Sequence, residues 1–373
     1  MERLIVFSII AFVASAVCGL IFIPQILYFC KRNRLYDLPN ERKVHHNAVP
    51  RLGGVAFVPS MLLAFMMVLM MISFQTDHRI SFSLWSVYFF IGLAMVYIVG
   101  FIDDLVGVAP VTKFIVQICA ACVIPLSGLS FNNLYGLFGI YEIPLYLGWA
   151  VTVFVVVFIV NAMNLIDGID GLSGGLSLLA LSGFLYSFAL QGLWYYVIFI
   201  TGLMGVLVAF LYFNIFGNPK KNQKIFMGDA GSLSLGFILA FLCVKFAMDN
   251  QAVMPYRRDG LLLSYTLLIV PAFDVIRVSL YRLRHHCPLF LADKNHIHHK
   301  LMRAGLSQRQ TLIVILTLSM SFFLINRMLA SIFEITWIVL VDIAIWVLFH
   351  LALNYRISRV VDGRHALDTK VAA

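Results

Sequence analysis

A chain of 373 residues with 61% hydrophobic and only 12% charged side chains, and a mean hydropathy of +0.93, lies far from the roughly 25% charged composition of soluble domains, which excludes a soluble protein. Its 32 Phe and 15 Tyr exclude disorder, and six Cys over this length exclude a disulfide-stapled scaffold. The net charge of +9 therefore has to be explained on an integral membrane protein.

A bilayer core about 30 Å thick needs roughly 20 apolar residues per helix. Runs near that length fall at residues 4–29, 54–74, 85–102, 114–129, 147–163, 176–190, 193–213, 232–248, 261–283, 312–325 and 328–351. They predict an all-α polytopic protein of ten to eleven transmembrane helices, the short runs being expected to tilt or merge. The first run is too long for a signal-peptide core and lacks a clear small-residue cleavage site, so a retained helix is expected. No repeat and no low-complexity linker divides the chain, so residues 1–373 are expected to form one domain, with a short polar cytoplasmic tail over 355–373.

Cationic loops stay on the cytoplasmic side. With the N-terminus outside and the C-terminus inside, 20 of the 27 Lys and Arg fall on inner segments, and five fall outside: Arg3, Arg79, Arg257, Arg258 and Arg327. The charge then reads as a positive-inside signature plus an anionic ligand at the inner face, with membrane lipids as neighbours and no nucleic-acid partner. Cys119 and Cys122 form a C-x-x-C inside an apolar run, where packing is expected rather than a metal or redox pair.

The acidic residues carry more information, because Asp103, Asp104, Asp167, Asp170, Asp229 and Asp293 all fall in inner loops or helix ends. G-F-I-D-D-L at 100–105 places two adjacent carboxylates where a helix meets the cytoplasm. N-A-M-N-L-I-D-G-I-D-G-L at 161–172 spaces Asn164, Asp167 and Asp170 three apart, which on a helical turn would stack oxygen ligands on one side. F-M-G-D-A-G-S-L at 226–233 sets Asp229 between glycines at a helix start. Hard oxygen ligands without nearby Cys suit Mg²⁺ or Mn²⁺ better than zinc, and glycines at a helix N-terminus let backbone N–H groups approach phosphate oxygens. D-K-N-H-I-H-H-K at 293–300, with Arg282, Arg284 and Arg303 around it, could ligate a transition metal. Beside Mg²⁺-type carboxylates it reads better as imidazole and guanidinium donors for a diphosphate. The basic segment 42–54, R-K-V-H-H-N-A-V-P-R-L-G-G, is by itself a positive-inside loop.

Together these residues describe phosphoryl transfer at the inner membrane face. In this order and on one side, the blocks from about residue 42 to 310 resemble the polyprenyl-phosphate N-acetylhexosamine-1-phosphate transferases, especially the bacterial undecaprenyl-phosphate N-acetylglucosamine-1-phosphate transferases that begin envelope polysaccharides such as lipopolysaccharide O-antigen and wall teichoic acid. The resemblance implies that undecaprenyl phosphate attacks the β-phosphate of a UDP-N-acetylhexosamine at the bacterial cytoplasmic membrane. The products would be lipid-diphospho-sugar and UMP, with Mg²⁺ required and Mn²⁺ as the alternative ion. It implies catalytic roles for Asp103, Asp104, Asp167, Lys113, His296, His298 and His299. Substrate contacts would come from Asp170 and Phe226 near the uracil and from Arg282, Arg303 and His46, with Asp229 and its partner Asn164 at the metal. A homodimer is compatible with it.

Many relatives carry a third acid three residues after the pair, where this chain has Gly107, which favours one metal over two. The histidine segment looks like that of the N-acetylglucosamine enzymes and unlike those taking UDP-N-acetylmuramoyl-pentapeptide. A secondary transporter would place its acids near the midplane in paired broken helices. Asp342, in the last run, is the one such candidate and is expected to make a helix–helix polar contact instead.

Overall fold

The computed structural model describes residues 2–36, 49–76, 84–251, 254–288 and 294–371, with burial assigned through residue 360 of the last helix. It is a helical bundle: α1 (Glu2–Asn33), a 3-10 turn (Gly53–Ala56), α2 (Phe57–Thr76), α3 (Leu84–Val106) and α4 (Pro110–Leu126) come first. A hairpin of β1 (Asn133–Leu137) and β2 (Ile140–Glu142) precedes α5 (Leu145–Ile166), α6 (Leu172–Leu190), α7 (Trp194–Phe216) and α8 (Gly228–Ala247). Then follow α9 (Gly260–Thr266), α10 (Ile269–Arg284), α11 (Ile297–Arg303), α12 (Gln308–Leu329) and α13 (Ile335–Val371). Among the described residues nine helices are long and apolar enough to cross a membrane, or ten if the bent pair α9 and α10 counts as one span. The apolar α4 is shorter than these.

Residues that are apolar on every face of a helix have no water-facing side to offer, and such a helix belongs in the interior. In α8 every residue from Ala230 to Ala247 is buried, and α3, α5, α6 and α9 pack around it. The outer helices show the complement: Ile5, Val6, Ile9 and Val13 of α1, and Trp337, Leu348 and Leu351 of α13, are exposed, as lipid-facing side chains are. At the far end of α8 the hairpin takes up orphan groups of the turn after the helix. Asn132 exchanges hydrogen bonds with the backbone of Asp249 (2.5 and 2.9 Å), and Tyr135 donates to the Ala247 carbonyl at 2.9 Å.

Two expectations need correction. The run 261–283 is broken, with α9 and α10 meeting at 69°, because Pro271 has no N–H for the Leu267 carbonyl and cannot continue one helical ladder through that point. Through the segment expected to form the polar tail, α13 runs on as a helix to Val371. Asn164, Asp167 and Asp170 do not stack on one helical turn, since α5 ends at Ile166 and the two aspartates lie in the loop before α6. Asp342 does make the expected interhelical contact: its carboxylate accepts from Tyr265 of α9 at 3.0 Å and from Asn326 of α12 at 2.8 Å. Cys119 and Cys122 are free thiols.

At the centre of the bundle the Gly53–Ala56 turn crosses α8 with backbone against backbone, so a methyl added at Gly54 would overlap Gly231. Gly54→Ala is expected to cost about 1–3 kcal/mol of stability, read as a lower unfolding temperature of the detergent-solubilised protein.

Candidate active site

Chain alternation brings the C-terminal ends of α3 and α5 and the N-terminal ends of α4 and α8 to one end of the bundle. The acid pair terminates α3. Arg51 donates to the last carbonyls there, from Nη2 to Asp103 at 3.2 Å and from Nε to Asp104 at 3.1 Å, and the chain reverses at Gly107 with φ +76°. That left-handed position, where the Gly107 N–H returns to the Asp103 carbonyl at 2.9 Å, explains why glycine rather than a third acid stands here.

The two carboxylates of the pair do different work. Asp104, only 5% exposed, accepts the backbone N–H groups of Asp229 and Ala230 at 2.9 Å each, and so caps the buried α8. Asp103 accepts from the Val108 N–H at 2.7 Å and lies 3.3 Å from Lys113 Nζ. The same ammonium bonds Asp229 at 2.7 Å. Ligand oxygens of Asp103, Asp104 and Asp229 can lie within 4.8 Å of one another. Asn164 of α5 donates to Asp229 at 3.1 Å and to Ser232 at 2.8 Å, fixing the Asp229 carboxylate from the other side.

Asp167 stands half-buried beside this cluster. Its carboxyl is pushed up to about 8, first by burial and then by the carboxylates of Asp229, Asp170 and Asp104. Two carboxylates on one lysine, a third beside them on the α8 backbone and a fourth held back from ionising make an anionic pocket of hard oxygens that suits a divalent cation. Asp170 is drawn away from the cluster by Lys224, at 2.5 Å, and Lys224 also bonds the Asn214 carbonyl at 3.2 Å. Phe226 is half-buried next to Lys224, with its backbone tied to Pro50 (2.8 Å) and Gly53 (2.9 Å).

The histidine segment reaches the same end. His298 lies with its ring against Gly168, between Asp167 and Asp170, and its ring centroid is 4.2 Å from that of His299. Burial and the neighbouring His299 drive His298 down to about 3, so it stays neutral at physiological pH, while burial and Arg277 bring Lys300 down to about 8. His296 is buried on Asp274 at 2.8 Å, Arg282 is buried in α10, and Arg303 is exposed, bonding the Lys294 carbonyl at 3.2 Å. His46 and Asp293 lie outside the described residues.

Sequence reasoning missed Arg51, Lys224, Ser232 and Asp274 as members of this site. Arg51 and Lys224 were indistinguishable from other inner-loop cations. Asp274 had one signal: a lone acid in P-A-F-D-V-I-R, three residues before an Arg, inside an apolar run.

The sequence model of glycosyl transferase family 4 matches residues 84–247, which hold Asp103, Asp104, Lys113, Asn164, Asp167, Asp170 and Asp229. Over 371 residues the chain is 30% identical to the "probable undecaprenyl-phosphate N-acetylglucosaminyl 1-phosphate transferase" of Bacillus subtilis (strain 168), covering 95% of this chain and 92% of that protein. It is 28% identical to the undecaprenyl-phosphate alpha-N-acetylglucosaminyl 1-phosphate transferase of Yersinia pestis, covering 75% and 73% of the two chains. The Escherichia coli (strain K12) protein of the same description is 28% identical, with 79% and 77% covered.

Because Asp104 accepts two N–H groups of the first turn of α8, Asp104→Ala is expected to destabilise the fold by about 1–2 kcal/mol. Asp104→Asn, which keeps one acceptor oxygen, should lose about half of that. Thermal unfolding of the two variants in detergent would show the order.

Proposed function

From a chain that belongs to glycosyl transferase family 4, we propose the transfer of N-acetylglucosamine 1-phosphate from UDP-N-acetylglucosamine to undecaprenyl phosphate, with release of UMP. The observation that carries this reading is the Asp103–Lys113–Asp229 cluster at the end of an otherwise apolar bundle. An apolar groove of about 640 Å³ runs beside it between α4 and α5, from Phe114, next to Lys113, to Pro125, and it suits a polyprenyl chain whose phosphate ends near the lysine. The relatives' names favour N-acetylglucosamine over a muramoyl-pentapeptide. A transporter is disfavoured because Asp342 is engaged by Tyr265 and Asn326.

Asp103 and Asp229 would hold Mg²⁺, with Mn²⁺ as a substitute, and Asn164 would orient Asp229. Asp104 is committed mainly to the α8 backbone. When bound, the ion supplies charge neutralisation at the diphosphate as UMP departs. Lys113 sits where it can shift from the two carboxylates to a phosphate oxygen. Neutral His298, His299 and the Arg282 and Arg303 guanidiniums border the sugar-diphosphate, while Asp170 and Phe226 flank the uracil. Lipid phosphate is already largely ionised at pH 7, since the second ionisation of such a monoester lies near 6. It therefore needs little activation, and Asp103 helps orient the acceptor as its oxygen forms the new bond to the β-phosphorus and the bond to the UMP oxygen breaks.

The proposed orientation puts this end in the cytoplasm of a bacterial cell, with the N-terminus outside and the C-terminus inside, a reading supported by the excess of Lys and Arg on those segments. Membrane vesicles supplied with labelled, impermeant UDP-N-acetylglucosamine test both points. Inside-out vesicles containing undecaprenyl phosphate and Mg²⁺ should form labelled lipid, sealed right-side-out vesicles should not, and Asp229→Asn should lower the rate about 100-fold or more. No labelled lipid, or equal labelling from both vesicle types, would contradict the reading.

A further inference from the structure

The proposed transfer leaves unexplained a fully buried acid on the broken helix. Asp274 of α10 is 0% exposed and accepts three donors: Arg277 Nη2 at 2.8 Å and the Ile297 backbone N–H at 2.9 Å on Oδ1, and His296 Nδ1 at 2.8 Å on Oδ2. Arg277 donates a second bond to the Asn295 carbonyl. Two side chains one helical turn apart thus grip three consecutive residues, Asn295 to Ile297, of the histidine segment.

From this grip we infer that Asp274 is a positioning residue for His296 in the transfer reaction, an inference that rests on the function proposed above. An oxygen already accepting an N–H and a guanidinium belongs to a carboxylate, which has only acceptors to offer, so the third partner must bring the proton. His296 is therefore held with its proton on Nδ1, and Nε2 is the ring nitrogen that Asp274 does not engage. The same contacts start α11 at Ile297 and lay His298 against Gly168, beside Asp167. Docking α11 on α10 in this way couples the orientation of one imidazole to the seating of the next. The arrangement follows the general rule that a carboxylate behind a functional histidine fixes its tautomer and ring plane.

The test is nitrogen NMR of the full-length protein labelled with ¹⁵N-histidine, in detergent and without substrate, with the His296 signals assigned by their loss in His296→Gln. The wild type should show a protonated Nδ1. In Asp274→Asn the new amide N–H faces the ring, so Nδ1 should lose its proton, and kcat for sugar-phosphate transfer should fall about 10- to 100-fold with KM for the UDP-sugar little changed. An unprotonated Nδ1 in the wild type would overturn the inference whatever the variants do. So would an Asn variant that keeps a protonated Nδ1, or one that switches the proton and retains wild-type kcat. A wild-type protein with no transfer activity would overturn the functional reading instead, because the NMR result does not depend on turnover.

Discussion

The Asp104 carboxylate and the Asp229 and Ala230 N–H groups in the first turn of α8 form the joint on which the site is built. A helix buried from Ala230 to Ala247 still presents unpaired N–H groups at its start, and a side-chain acceptor there is worth about 1–2 kcal/mol. Supplying both acceptors from the end of α3 ties the two helices together at a fixed height, with bonds of 2.9 Å. Arg51 in turn secures the end of α3 through the carbonyls of Asp103 and Asp104. Once that joint exists, Asp229 faces Asp103, and Lys113 at the start of α4 is placed between them.

The same joint creates an electrostatic problem that the protein's own side chains solve only in part. Asp103 and Asp229 converge on a single lysine with Asp104 beside them, and Asp167 nearby is pushed up to about 8 by burial and by its neighbours' charge. Asp170 escapes the crowd through its own partner, Lys224. What remains is a cluster short of positive charge, next to a basic histidine segment long of it. In the proposed reaction a divalent cation and a diphosphate would together complete both halves.

Much of this was legible in the sequence, and the parts that were not have physical reasons. The spans followed from run length, because the bilayer imposes that length directly. The acid blocks stood out because carboxylates are expensive near a membrane and cluster only for cause. The break at Leu267 and Leu268 was hidden inside a continuous apolar run, where only Pro271 hinted at it. The spacing of Asn164, Asp167 and Asp170 suggested a helical stack. The helix end at Ile166 instead sent Asn164 to Asp229 and Asp170 to Lys224, pairings between residues 65 and 54 positions apart that no local pattern encodes. Asp104 looked equivalent to Asp103 as a letter, and only the approach of α8 divides a cap from a candidate ligand. Asp274 read as one more polar residue in a span until its three donors were in view.

In the proposed function the cluster would hold one divalent cation, with Asp229 as an essential ligand. Electron paramagnetic resonance of Mn²⁺ titrated into the detergent-solubilised protein measures this directly. One bound ion per chain, lost in Asp229→Asn and retained in His298→Gln, is the expected result. Two ions per chain, or binding that persists without the Asp229 carboxylate, would contradict it.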